Sequence, residues 1–255
     1  MNGLSGIFAQ FLTATTVLTR LPVASRESES ISQEGAVAAA TWAFPAVGAG
    51  VGFIAAGAMM LATVCGLHNG AAALLGLVAA GLVTGAMHED GLADTADGFG
   101  GGHDRDEKLA IMRDSRQGSC GIIALIVTIG LRAVALTAIA DPIEAALALI
   151  AAHAASRATL APALYLMHPA REDGLGATAG RPTLATTLVA VAIGTVIALG
   201  VLGPVRGLIA LIVMAAAVGA TAVLAQRQIG GYTGDVLGAF QQVGEIVMLL
   251  VAAAR

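Results

Sequence analysis

Apolar residues in this chain collect into long uncharged runs rather than into short alternating stretches. Runs at 35–64, 70–87, 183–202 and 207–225 are each long enough to cross about 30 Å of hydrocarbon. Two more, 120–140 and 144–167, are interrupted only by Arg132, His153 and Arg157, and the last, 236–254, carries Gln241, Gln242 and Glu245. The pattern predicts about seven transmembrane helices. The 35–64 run is overlong and holds Pro45 beside Gly48, Gly50 and Gly52, so a kink or re-entrant entry is expected there, with the glycines letting helices approach closely. In residues 1–19, Leu4, Ile7, Phe8, Phe11, Leu12 and Leu18 fall near one helical stripe, while Ser5, Gln10, Thr13 and Thr16 lie elsewhere. That favours an interfacial helix, with a first span as the alternative. No positive residue precedes the apolar stretch, so it is expected to be retained rather than cleaved as a signal peptide.

Composition agrees with the pattern. The chain has 255 residues, 12% charged and 57% apolar, against about 25% charged in an ordinary globular domain. The fold class expected is all-α, a polytopic integral membrane helical bundle with an added N-terminal interfacial or spanning helix. Residues 1–255 read as one membrane-embedded domain, with the lipid bilayer as its solvent. A net charge of −4 excludes a basic field for holding nucleic acid. Cys65 and Cys120 make neither a disulfide framework nor a thiolate cage and read as small filler. Arg20 and Arg26, then Arg105, Lys108, Arg113 and Arg116, then Arg171 and Arg181, then Arg227 recur in alternate loops. The positive-inside rule therefore puts loops 88–119, 168–182 and 226–235 on the cytoplasmic face.

Loop 88–119 carries the most informative chemistry. Eight of the 17 acidic residues lie between 89 and 114. On a helix Asp90, Asp94 and Asp97 fall within about 60° of one another, and Glu89 points about 100° away. Three like charges on one face need a bound cation, and Mg²⁺, which takes carboxylates, water and substrate phosphates, answers the need. Each aspartate at a bilayer centre costs about 2.5–3.5 kcal/mol, so the cluster is expected at the cytoplasmic end of the second span, facing a polar cleft. The competing reading is a solvated acidic loop.

Gly98, Gly100, Gly101 and Gly102 are expected to break that helix, and Asp104 with Glu107 to cap a short surface helix after it. The following stretch Arg113-Asp114-Ser115-Arg116-Gln117-Gly118 suits phosphate oxygens, although its basic residues also satisfy the charge rule. Within the spans, Arg132 lies mid-helix, while His153 and Arg157 share a face. Arg157 is a candidate for a substrate phosphate or an active-site carboxylate, a structural pair being the alternative. Thr233 or Asp235 could cap the final helix.

The runs Thr19-Arg20-Leu21-Pro22-Val23, His88 through Phe99, Asp114-Ser115-Arg116-Gln117-Gly118 and Thr233 through Ala239 resemble the cobalamin synthase family, adenosylcobinamide-GDP ribazoletransferase. Cys120 stands where an aromatic residue is expected in that family, which bears on local packing alone. The resemblance implies a Mg²⁺-dependent enzyme of late cobalamin biosynthesis, joining adenosylcobinamide-GDP to α-ribazole or its 5′-phosphate with release of GMP. On that reading Asp90, Asp94 and Asp97 hold Mg²⁺, and Glu89 or Asp94 takes the hydroxyl proton. Arg116 and Arg157, with Asp114 beside Arg116, face the phosphates, and Asp235 faces the ribazole or a second metal. A homo-oligomer is left open. Two other readings are weighed against it. A transporter would place its acidic residues near the midplane in two broken halves. A CDP-alcohol phosphotransferase resembles a motif with arginine where this chain has Asp94.

Overall fold

The computed structural model describes residues 3–23 and 35–254. Arg26, assigned above to the cytoplasmic side, lies outside the described residues. The helices are α1 (Gly3–Leu18), α2 (Ala36–Ala40), α3 (Phe44–Val64), α4 (Asn69–Thr84), α5 (Met87–Gly101) and α6 (Arg105–Ile111). They continue as α7 (Ser119–Ala138), α8 (Pro142–Ala158), α9 (Leu160–Leu166), α10 (Leu175–Thr178), α11 (Leu184–Leu202), α12 (Pro204–Ile229) and α13 (Gly234–Ala253). Among the described residues there are six helices long and apolar enough to cross a membrane, or seven if α4 and α5 count as one broken span. The runs read from the sequence are thus the helices of a multi-pass bundle. Their outer faces are apolar, with Phe53, Val64, Leu82, Ile126, Val196 and Val205 all exposed where lipid would lie.

The overlong first run resolves into α2, a 3₁₀ turn at Thr41–Ala43 and α3. The irregularity falls before Pro45, which sits in the first turn of α3, where its missing N–H breaks no bond. Helix α8 is the most enclosed element, lined by alanines. Helix α3 crosses it so closely that a Cβ on Gly48 would lie 2.3 Å from the His153 carbonyl oxygen, and one on Gly52 2.7 Å from Ile150 Cα. Gly50 faces open space. The close approach therefore belongs to a Gly-x-x-x-Gly pair, the small-residue device of membrane helices.

The second run departs from expectation. It stops at Thr84, turns through Gly85 and Ala86, both with positive φ, and restarts as α5 at 91°. The acidic run is therefore a helix of its own. It also continues through Gly98 to Gly101, past the glycines expected to end it. A glycine inside a helix costs only about 1 kcal/mol, and here the packing of α6 outweighs it: a Cβ on Gly98 would meet Met112 Cγ at 2.5 Å. The elbow is strapped by the N-terminal segment, where Arg20 donates its backbone N–H to Val83 O (2.7 Å) and lays its side chain against Gly85. Helix α1 spans about 24 Å, less than the hydrocarbon thickness. It is tied to the 3₁₀ turn by Trp42 Nε1 donating to Gln10 Oε1 (2.7 Å), with Ile7 and Phe8 exposed.

The three loops expected to share a face meet at one end of the bundle. Arg105 donates to Ile229 O (3.1 Å) and to Ala170 O. Ala170 N donates to Tyr232 O (2.7 Å), Tyr232 N to His168 O (3.0 Å), and Arg113 pairs with Asp173. Asp104 caps α6 by accepting from Glu107 N (2.9 Å), as its position suggested.

Candidate active site

Helix α5 enters the bundle between α7 and α13, and its three aspartates meet different surroundings. Asp90 is exposed, and its carboxylate makes no hydrogen bond or ion pair among the described residues. Asp94, half-buried one turn on, accepts from Gln117 Nε2 on Oδ1 (3.2 Å). Asp97 is buried, and both its oxygens are held by backbone amides: Oδ2 accepts from Gly118 N (2.6 Å) and Oδ1 from Gly121 N (2.8 Å). A carboxylate bonded in this way caps the positive end of α7. It also fastens loop 113–118 to the acidic helix. Asp97 was expected as a third metal ligand, and in the structure both its oxygens make this anchoring contact.

Asp235 lies across from Asp90 and Asp94, because α5 touches the start of α13 through Gly91: a Cβ there would meet Asp235 O at 2.8 Å. Its Oδ2 accepts from Thr233 Oγ1 (3.1 Å) and faces Arg171 Nη2 at 3.4 Å. The cap of α13 is Thr233, whose hydroxyl accepts from Val236 N (3.3 Å), which leaves the Asp235 side chain to the cleft.

The two arginines expected at phosphates are engaged elsewhere. Arg116 is 87% exposed and pairs with Asp114 two residues away, holding that carboxyl down at about 2. Arg157 is buried, 3.0 Å from His153 Nδ1, in a cluster around Glu245. There Arg132 Nη1 donates to Glu245 Oε1 (2.9 Å) and Glu89 Oε1 (3.3 Å), while Gln242 Nε2 donates to Glu89 Oε1 (3.1 Å). Gln241 Nε2 donates to Glu245 Oε2 (2.6 Å) and Ser156 Oγ (3.0 Å), and His153 Nδ1 lies 3.0 Å from that same carboxylate oxygen. Glu89 therefore faces the bundle interior, away from Asp90, as its helical angle indicated.

Among the described residues, no three His, Cys, Asp or Glu side chains form a ready-made metal site. Asp90 and Asp94 still offer hard oxygen donors on one face, Asp90 with both oxygens unspent. That donor set fits Mg²⁺, which usually takes one or two protein carboxylates and completes its shell with water and substrate phosphates.

A sequence model described as cobalamin-5-phosphate synthase matches residues 10–253. The chain belongs to that family. Among similar proteins, an adenosylcobinamide-GDP ribazoletransferase of Bradyrhizobium diazoefficiens is 50% identical over 248 residues, 97% of this chain and 94% of the relative. One of Mesorhizobium japonicum is 48% identical over 217 residues, 85% of this chain and 83% of the relative. No solved structure matches. Membership of the cobalamin-5-phosphate synthase family makes the chain a transferase of cobalamin biosynthesis, and it decides against the transporter and alcohol-phosphotransferase readings. Reasoning from sequence missed Gln117 and Arg171 as neighbours of the carboxylates. The available signals were Gln117 beside the arginines of loop 113–118 and Arg171 opening a polar, glycine-rich loop on the same face.

Proposed function

We propose that the chain joins adenosylcobinamide-GDP to α-ribazole or its 5′-phosphate and releases GMP, using Mg²⁺ held by Asp90 and Asp94 at the cytoplasmic face of the inner membrane. The observation that carries the reading is the pair of available carboxylates on one face of α5, opposite Asp235 and beneath the loop that supplies Gln117. The names of the relatives, similar over nearly the whole chain, supply the substrates. Bound Mg²⁺ would neutralise charge on the diphosphate and on the leaving oxygen.

Asp94 is the better placed proton acceptor. One of its oxygens is steadied by Gln117, whereas Glu89 is occupied by Arg132 and Gln242. The ribose hydroxyl gives its proton to Asp94 as its oxygen bonds to the cobinamide-side phosphorus. The bridging P–O bond breaks, and GMP leaves with the bridging oxygen.

The test follows GMP and corrinoid product together, with detergent-purified protein, both substrates, and Mg²⁺ or a chelator. Asp94→Asn is expected to lose at least about 100-fold in turnover with its thermal unfolding unchanged. Undiminished turnover in that variant, or full activity in chelator, refutes the assignment.

A further inference from the structure

We propose that Arg171 binds the diphosphate of the nucleotide-activated substrate, an assignment that rests on the transferase reading above. Its guanidinium lies beside the Asp235 carboxylate, with Nη2 3.4 Å from Oδ2, and its side chain is 17% exposed. Nη1 is buried and has no hydrogen-bond partner among the described residues. The Nε contact to Asp173, at 3.9 Å, is too long to be a hydrogen bond. A planar cation with an N–H kept out of water and unbonded is costly. An anion arriving between Asp90, Asp94 and Asp235 would relieve that cost and would itself need positive charge there.

The backbone around Arg171 is fixed before any substrate arrives. Residues 168–170 are bonded in both directions to Tyr232, and Ala170 O is held by Arg105. The guanidinium fork is thus presented from a rigid support, which lowers the ordering cost of binding. Its planar donors match phosphate oxygens in a way a lysine ammonium does not. Neither other candidate competes for the role. Arg116 is extended into solvent on Asp114, and Arg157 is enclosed among His153, Glu245 and Glu89.

The test measures equilibrium binding of the GDP-activated corrinoid and, separately, of α-ribazole to detergent-purified wild type and variants with Mg²⁺ present. Arg171→Ala is expected to weaken binding of the GDP conjugate by about 10- to 100-fold, leaving α-ribazole binding and the unfolding midpoint unchanged. Arg171→Lys should recover part of the loss. Arg181→Ala, which removes a charge from the same loop where it rests on Tyr165, should bind as wild type. If the alanine variant does not fold, Arg171→Gln, which keeps a donor for Asp235, carries the same expectations. Wild-type affinity for the GDP conjugate in Arg171→Ala overturns the inference. So does an equal loss of both ligands, which would make Arg171 only a loop anchor. A wild type that neither binds these substrates nor releases GMP overturns the transferase reading and this inference together. A wild type that turns over beside a fully binding Arg171→Ala overturns the inference alone.

Discussion

Asp97 shows how one side chain can connect the acidic helix to its neighbour. Its two oxygens hold amides 21 and 24 residues further along, and each charge-assisted bond of this kind contributes about 1.5–3 kcal/mol. Asp97→Ala is therefore expected to loosen loop 113–118 and with it the Gln117 contact to Asp94. Backbone hydrogen exchange at 117–121 should rise by at least tenfold; unchanged protection there would show that the anchor is unimportant. The shared face of Asp90, Asp94 and Asp97 was legible in the sequence because helical angle depends only on spacing. The differing partners were not. They depend on α7 beginning beside α5, which no local pattern encodes. Arg116 and Arg157 illustrate the same limit: charge and position nominated them, and a nearby Asp114 and a buried His153 claimed them.

At the scale of elements, α5, α7, α8 and α13 are joined inside the bundle by one polar cluster. Arg132 comes from α7, His153, Ser156 and Arg157 from α8, Gln241, Gln242 and Glu245 from α13, and Glu89 from α5. Charges this deep in a membrane require partners; one Glu245 oxygen takes Arg132, and the other lies against His153 and Gln241. Glu245→Ala would leave Arg132 and Arg157 undercompensated, and removing one member of a buried ion pair costs about 3–5 kcal/mol. The unfolding midpoint in a detergent titration should fall markedly, with a smaller fall for Glu245→Gln. A midpoint equal to wild type would mean that water already satisfies the arginines. From the sequence, His153 and Arg157 could be placed on a common face, but Glu245 could not be joined to them across some ninety residues. The elbow at Gly85–Ala86 was equally hidden, because an apolar run ending in acidic residues reads the same whether the helix bends or stops.

At the scale of the whole molecule, the positions of the spans were largely legible, since hydrophobic length is a one-dimensional property. Packing was not, apart from Gly48 and Gly52. The face on which the loops lie can be tested directly. With Cys65 and Cys120, both exposed, replaced by serine, single cysteines at His103 and Glu172 should be labelled from the cytoplasmic side only, and those at Leu67 and Asp141 from the outside only. Labelling of His103 from the outside would invert the orientation and move the proposed chemistry to the other side of the membrane.

Arg20 reaches the elbow from the far end of the polypeptide, bonded to Val83 and resting on Gly85. The angle at which the helix of Asp90 and Asp94 meets the bundle is thus set in part by a residue outside that helix. Arg20 acts as a brace, so its displacement would be felt in the tilt of the acidic helix.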